Sequence, residues 1–415
     1  MARTRVAVLG HTAALGGCEL SLTRMLTAID TDRFDVVVVC FSDGPLVTRL
    51  RAQGVRVEVH ALSADVATAG RHDVVRAPLA TVGRAVTSIS YALGLARTLR
   101  RLDVDVVHAN TLKAYALGTV AAHLARRPLV WHVHDRISSD YLPVPVVATL
   151  RFLAAHDPAE IVVNSAATAR TLAADPRRPA QRITIAYPGL EPHAFDVARP
   201  APSGGRAPVV GMLGRISPTK GQHEFVRAVA ALARDYPQVH FRLIGAPLFN
   251  EHGYDEDLTD LIRALDLDAR VERVGWVDDP QSALRELDLL VHASPTPEPF
   301  GQVVVEAMAA KVPVIATLGG GVGEILDPTS VVVPALAPGR SHRTELGWLV
   351  PPSDPAALTH AMRAALDDPD SAGAAAEVAW TSASTRFTAA GMAAAVSGVW
   401  DRVATQSPRR RRRSR

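Results

Sequence analysis

Short runs of consecutive apolar residues alternate along this chain with longer stretches whose apolar residues recur at three- and four-residue spacing. Unbroken apolar runs read as strands buried on both faces, and helical spacing between them reads as crossovers, so the pattern is that of βαβ units and parallel sheets. It predicts strands over 5–9, 35–41, 55–60, 105–108, 129–134 and 160–164, with helical stretches such as 19–29 and 114–125 between them. From Pro188 to Pro208 proline and glycine are too dense for either period, which predicts a linker. The alternation then restarts, with strands over 209–213, 239–244, 270–274, 289–292 and 312–316 and a helix over about 222–234. Residues 355–366 and about 374–404 read as alanine-rich helix. The expected organisation is therefore a first domain at 1–188, a linker at 189–208, a second domain at 209–375, helices at 376–404 packing back on the first domain, and a disordered tail at 405–415. Two doubly wound units in tandem form a cleft, and ligands in such sheets bind at the carboxyl ends of strands.

Composition changes this picture little, but charge does. The 415 residues are 48% hydrophobic, enough for large cores and against disorder or a stapled miniature fold. The formal charge of +3 hides three regions: residues 1–188 carry 22 basic and 15 acidic groups, 209–400 carry 14 and 24, and 401–415 carry 7 and 1. Two cysteines, Cys18 and Cys40, lack metal-ligand spacing and cannot build a disulfide framework, so both read as buried small hydrophobes in a reducing compartment. Neither a signal-like segment nor an apolar run of membrane-spanning length is evident, and a cytoplasmic location is expected. Lys113, Lys220 and Lys311 are the only lysines beside 42 arginines, so each draws notice.

Three loops carry chemistry. After the first strand, Gly16 and Gly17 open a helix where backbone amides could approach a phosphate, although a tight turn explains the pair as well. The spacing is neither that of a dinucleotide fingerprint nor that of a P-loop. After the first strand of the second domain, Gly214-Arg215 and Lys220-Gly221 bracket a loop at a helix start, so both cations could converge on a diphosphate. Ordinary surface charge is the alternative, but cations sit unfavourably at a helix N-terminus unless an anion is present. The third loop is Pro295-Thr-Pro-Glu298-Pro-Phe-Gly-Gln-Val-Val-Val-Glu306. Its prolines keep Glu298 off any helix, Glu306 falls a turn into the next one, and the amides of about Phe300, Gly301, Gln302 and Val303 lie between them. Carboxylates for paired hydroxyls beside amides for an anion suit a polyhydroxylated, phosphorylated ligand.

The Glu298-x7-Glu306 element, the Gly214-Arg215 to Lys220-Gly221 loop and Gly16-Gly17-Cys18-Glu19 together resemble the retaining nucleotide-sugar glycosyltransferases of family GT4 (glycosyltransferase group 1). Asp105 to His108, Val163 to Ser165, Leu243 to Gly245, Val274 to Asp279 and Gly347 to Pro352 resemble family segments in the same order, covering residues 5–400. The resemblance implies an α/β GT-B fold, two Rossmann-like doubly wound parallel-sheet domains facing across a cleft. It also implies a hexosyltransferase that moves a sugar from a nucleotide-sugar to a hydroxyl acceptor, whether glycan, lipid-linked or small molecule, with retention. Arg215 and Lys220 would hold the diphosphate, Glu306 the ribose and Glu298 the transferred sugar, with Trp276 and Val277 lining the base. Gly16, Gly17 and Gly245 would approach the donor. Trp131-His132-Val133-His134-Asp135 resembles the family's histidine-aspartate pair, and only the resemblance favours His134 over His132 to meet the sugar. No cofactor and no metal is expected, since fixed cations and amides can stabilise the leaving phosphate and no Asp-x-Asp motif occurs.

Two departures stand out: Pro188-Gly189 replaces the usual Asn-Gly, and the stretch between Glu324 and Gly347 is extended, reading as a surface loop or insertion. On the acceptor side Arg71, Arg76, Arg84, Arg97, Arg100 and Arg101 surround a periodic segment with Leu79, Val82, Val86, Ile89, Leu93 and Leu99. Packing on its own sheet is the favoured reading. Peripheral contact with an anionic inner membrane face, helped by the arginine tail, is an additional expectation, and nucleic acid is not an expected partner. A GT-B-like nucleotide-sugar epimerase and a non-catalytic scaffold are the competing functions.

Overall fold

The computed structural model describes residues 3–62, 78–172, 183–197, 206–248, 251–330 and 336–406, with backbone alone for 78–87 and 406. It divides into two compact units, one of residues 1–189 with 389–415 and one of residues 190–388.

The first unit holds a seven-stranded sheet of β1 (Thr4–Gly10), β2 (Phe34–Cys40), β3 (Arg56–Val59), β4 (Val106–Ala109), β5 (Leu129–Val133), β6 (Glu160–Val163) and β7 (Ile183–Ile185). The order is β3-β2-β1-β4-β5-β6-β7 and every pairing is parallel. Alternate residues of each apolar run feed opposite cores. Ala7, Leu9, Val37 and Val39 pack with Tyr91, Leu95 and Leu99 of helix Pro78–Arg101 and with helices Leu112–Ala125 and Val144–His156. Val6, Val8, Val38 and Cys40 pack with helices Gly17–Thr27 and Pro45–Ala52 and with Met392, Val396, Val399, Trp400 and Val403. The pattern missed β7, three residues too short to leave a periodic signal.

The second unit repeats the plan with β8 (Val209–Leu213), β9 (His240–Ile244), β10 (Val271–Gly275), β11 (Leu289–His292), β12 (Val314–Thr317), β13 (His342–Arg343) and β14 (Trp348–Val350). The order is β10-β9-β8-β11-β12-β14-β13, parallel except for the antiparallel edge pair β13–β14. Three of its helices begin at Asp-Pro: the carboxylates of Asp279, Asp354 and Asp368 cap the amides of Ser282, Ala357 and Ser371, and a proline at the first helical position loses no hydrogen bond.

Several expectations are corrected. The helices expected at 376–404 are two, Pro369–Arg386 and Ala389–Gln406, separated at Phe387 and Thr388, where Thr388 bridges Leu190. Of the two, only Ala389–Gln406 belongs to the first unit, anchored there by Arg402 on both oxygens of Glu160 (2.9 and 2.7 Å). Pro369–Arg386 stays with the second unit, where Glu377 pairs with Lys311 (2.9 Å) and the Trp380 ring stacks beneath the same ammonium. The expected linker is partly structured: Pro192–Phe195 forms a helical turn with Ala194 and Phe195 buried, and Trp380 donates to the Phe195 carbonyl. The extended stretch before Gly347 ends as strand β13 rather than as a loop. Cys40 is buried as expected, but Cys18 is partly exposed and hydrogen-bonded.

In helix Pro78–Arg101 the inward face is Tyr91, Leu95 and Leu99, whereas Ile89 and Leu93 point outward, because residues four apart share a face and the sheet selects the 91-95-99 row. Arg71, Arg76, the side chains of Leu79, Val82, Arg84 and Val86, and the tail from 407 onward lie outside the described residues. Among the described residues no helix is long and apolar enough to cross a membrane.

Trp400 is fully buried, its ring edge-on to Phe34 at 5.5 Å and its indole donating to His108 Nδ1 at 3.1 Å. Trp400→Ala should therefore destabilise the first unit by about 3–5 kcal/mol. Chemical unfolding should show an early transition that is missing in the wild type.

Candidate active site

In each sheet the strand order reverses direction at one point, between β8 and β11 in the second unit and between β1 and β4 in the first. Crevices outside strand carboxyl ends form at such points. The loops that sequence analysis singled out lie there.

In the second unit the loop after β8 reaches helix Gln222–Leu232 through Gly221, whose φ is +82° and where a Cβ would lie 2.0 Å from the Ala293 carbonyl oxygen. Only glycine permits this approach, which draws the loop onto the end of β11. Gln222, almost fully buried, pins the loop from inside: its Nε2 donates to the Arg215 carbonyl (2.8 Å) and its Oε1 accepts from the Ser217 amide (3.4 Å). The two cations are thus presented from a fixed backbone, and each faces a carboxylate. Arg215 faces Glu251 at 3.5 Å, and Lys220 Nζ lies 2.6 Å from Glu298 Oε1.

Glu298 is the centre of the arrangement. Its Oε1 also accepts from Ser294 Oγ (2.7 Å) and faces His292 Nε2 at 3.6 Å. Its backbone is clamped by the glycines after β12: the Gly321 amide donates to the Glu298 carbonyl (2.9 Å), and a Cβ on Gly320, at φ +63°, would lie 1.7 Å from that oxygen. Burial alone would raise this carboxyl, but the charge of Lys220 and the contact with His292 outweigh it and hold Glu298 well below the usual carboxylate range. It is an anion at any working pH.

Beside it, helix Gln302–Ala309 starts at Gly301 (φ +111°), so the amides of Gly301, Gln302 and Val303 carry the positive end of the helix dipole, with Phe300 buried behind them. Glu306 is buried one turn in. Gly245, after β9, is explained by packing: a Cβ there would meet the Gly214 carbonyl at 2.0 Å. Trp276, after edge strand β10, is 56% exposed with its indole on Asp278, and Val277 is half-buried. From Trp276 to Gly320 the site follows five adjacent strand ends, a span of about 20 Å at the usual strand spacing.

In the first unit Gly16 caps helix Gly17–Thr27, and Glu19, three residues on, reaches back toward it, the geometry of a capping box. Burial pushes the Glu19 carboxyl up to about 7, with backbone hydrogen bonds opposing and the charge of Asp135 adding. The geometry separates the two histidines. His132 is wholly buried, with neither ring nitrogen hydrogen-bonded, between the rings of His108 and His134. His134 follows β5, its Nε2 3.0 Å from Asn110 Oδ1 and its carbonyl bonded by Asn164. An amide oxygen only accepts, so Nε2 carries the proton and Nδ1 the lone pair. Burial holds the ring down to about 4, so it is neutral near pH 7. Asn110 Nδ2 in turn donates to Cys18 Sγ (3.3 Å), and the Tyr141 hydroxyl donates to Asp135 (2.9 Å).

Sequence reading did not reach Glu251, His292, Ser294, Thr317, Gly320 or Asn110. The run Gly319-Gly320-Gly321 after a predicted strand was a signal available for one of them. The others are polar residues at strand ends, visible only once strand order is known. Of the three scarce lysines, Lys311 is structural, Lys220 sits on Glu298, and Lys113 opens helix Leu112–Ala125 after β4, where burial lowers its ammonium.

Comparison with known proteins agrees with this architecture. Residues 15–194 match the family described as "Glycosyltransferase Family 4", and residues 198–379 match "Glycosyl transferases group 1". Together these segments span most of the chain, which belongs to the family 4, group 1 glycosyltransferases with the GT-B fold. A "D-inositol 3-phosphate glycosyltransferase" of Kineococcus radiotolerans is 30% identical over 297 residues, covering 64% of this chain and 64% of that protein, so the match spans less than two thirds of that relative's length. Structures of Anabaena Alr3699/HepE, one with UDP and glucose and one with UDP-glucose, superpose with TM-score 0.78 at 26% and 27% identity, covering 96% of this chain and 100% of theirs.

Glu19 gives a pH test. A carboxyl raised from 4.5 to about 7 keeps a proton that the unfolded chain has lost, so its contribution is present at low pH and lost as pH rises through about 7. Glu19→Gln, which keeps the capping geometry, should be more stable than the wild type at pH 8.5 by up to about 3 kcal/mol, the gain vanishing toward pH 4.5. Urea unfolding at both pH values measures it.

Proposed function

We propose that this chain is a retaining hexosyltransferase that moves a sugar from a nucleotide-sugar donor, with UDP as the favoured nucleotide, to a hydroxyl acceptor without a metal ion. The observation that carries the reading is the Lys220–Glu298 pair at the end of β11, next to the amides of helix Gln302–Ala309. A cation for phosphate and an obligate hydrogen-bond-accepting carboxylate for sugar hydroxyls lie side by side, the two halves of a sugar-phosphate. Arg215 and Lys220 bind the diphosphate, the helix amides add to them, Glu298 accepts from the sugar hydroxyls, and Glu306 accepts from the ribose. Trp276 offers an exposed face to the base. UDP and glucose in the Anabaena structures support this choice of donor.

In the reaction the bond from the anomeric carbon to the β-phosphate oxygen breaks with its electron pair going to that oxygen. The acceptor oxygen forms the new bond on the same face, and its proton passes to the departing phosphate. Negative charge grows on the phosphate as the bond opens, and Arg215, Lys220 and the helix amides are in place before it does, so little reorganisation is needed. His134, neutral and fixed as the Nε2–H tautomer, is the proposed partner of the transferred sugar in the first unit.

The test begins with thermal shift against UDP-, GDP- and ADP-sugars, where a ligand at 100 times its dissociation constant stabilises by about 2.7 kcal/mol. Product analysis with and without acceptor follows: acceptor-dependent glycoside with retained configuration is expected, and donor isomerised without acceptor would overturn the reading in favour of an epimerase. Lys220→Ala and Glu298→Ala should each lower turnover by about 100-fold or more. Turnover should persist in excess EDTA, and its loss there, restored by a divalent cation, would overturn metal independence.

A further inference from the structure

Helices Pro78–Arg101, Leu112–Ala125 and Val144–His156 cover one face of the first sheet, each turning apolar side chains inward: Leu95 and Leu99, Tyr115 and Ala122, Leu150 and Ala154. The outer side of such a helix is normally polar and charged. Here each helix also turns an apolar pair outward: Ile89 and Leu93 on the first, Val120 and Leu124 on the second, Val144 and Phe152 on the third. Ile89, Val144 and Phe152 are more than half exposed. A lone exposed apolar residue needs no explanation, but three pairs on the outer side of one helical layer are not scattered. Charge on the layer is equally one-sided. The three helices, of 24, 14 and 13 residues, contain no aspartate or glutamate, in a chain with 42 acidic groups among 415 residues. Arg97, Arg100 and Arg101 are exposed on the first helix, and Arg126 is exposed just after the second. Carboxylates at the margins are already engaged: Glu58 by Arg101, Asp103 by Arg127 and Asp157 by His123. Helix His252–Ala264 of the second unit shows the ordinary arrangement, with Glu256, Asp257 and Asp260 exposed.

We propose that the outer side of this three-helix layer docks on a bilayer with anionic headgroups. The surface is not the periodic segment of the first helix by itself, whose Leu99 faces the core, but the outer rows of three helices together. Each of its parts has a place at a membrane interface. The arginines, with long apolar stems and charged tips, reach the lipid phosphates, while the six apolar side chains enter the boundary with the acyl chains. A carboxylate on the same face would be repelled by the negative surface potential, and the helices carry none. Apolar side chains spread over three helices suit a fluid surface that conforms to them, whereas a folded acidic partner would need a matching relief. The inference does not depend on the proposed reaction, and its test reads no turnover.

The experiment is sedimentation of the full chain with vesicles. Binding to phosphatidylglycerol vesicles at low salt is expected, with little binding to phosphatidylcholine and loss of binding at about 0.5 M salt, where screening shortens the reach of the arginines. Absence of binding to phosphatidylglycerol overturns the proposal, and retention of the same protein on immobilised polyaspartate would then give the face to an acidic protein. The double variant Leu93→Glu/Phe152→Glu, at exposed positions, should partition at least about tenfold less with an unchanged melting temperature, and Arg97→Ala about fivefold less. Deleting residues 408–415 separates the arginine tail: the ratio between wild type and variants should survive the deletion. Binding that vanishes with the tail while the substitutions are silent overturns the proposal. A reporter that leaves the surface intact gives an independent reading. The emission of Phe152→Trp should shift to the blue on phosphatidylglycerol vesicles, whereas that of Val378→Trp, on an exposed position of the second unit, should not. An equal response of the two, or none from Phe152→Trp, overturns the assignment of this face.

Discussion

The constraint beneath everything else is that a parallel sheet must be covered on both faces. Strands such as Val6-Ala-Val-Leu9 and Leu289-Leu-Val-His292 have no solvent side, so successive residues feed two cores and polar chemistry is driven to the strand ends. At the carboxyl ends the following loop leads into a helix N-terminus, where amides gather positive charge. The glycines are consequences of this crowding. Gly221, Gly245 and Gly320 each stand where a backbone carbonyl lies within 2.0 Å of the missing Cβ, bringing the loops together closely enough for their side chains to meet.

Electrostatics within the second unit reverses what its bulk charge suggests. The stretch 209–400 has ten more acidic than basic groups, yet the candidate site gathers Arg215, Lys220 and the amides at the start of helix Gln302–Ala309. Much of the excess lies on exposed residues such as Asp257, Asp260, Asp278 and Asp279, screened by solvent. The decisive charges are few and partly buried: Lys220 and Arg215, each held by a carboxylate. Pairing keeps both from being costly unpartnered cations, and it sets carboxylate oxygens beside them.

The fold was legible in sequence because most strands are doubly buried and leave apolar runs, and all eleven predicted strands fell within a few residues of strands now observed, including the more polar edge strands β3 and β10. What escaped was short or edge-located: β7, β13 and β14 have three, two and three residues and lack a period of their own. The break at Phe387-Thr388 escaped because neither residue is a helix breaker; the pairing of Thr388 with Leu190, nearly two hundred residues away, makes the break. Within the site, charged residues in loops announced themselves through motif and scarcity. Their partners did not: Ser294 and Thr317 look like ordinary strand-end residues until the order β8-β11-β12 sets them around Glu298, and the hydrogen bond to Asn110 that distinguishes His134 from His132 is visible only in the fold.

The helix Ala389–Gln406 has a consequence for biosynthesis. It belongs to the core of the first unit, yet it is made after the whole of the second. While the ribosome is still at work, Val6, Val8, Val38 and Leu22 have emerged without Trp400, Val399 and Val396, which complete their packing. The amino-terminal half of the nascent chain therefore waits, with an apolar surface uncovered, through the synthesis of some two hundred residues. The order of completion is inverted, since the second unit can close before the first, and any chain stalled in between presents that surface to chaperones and proteases.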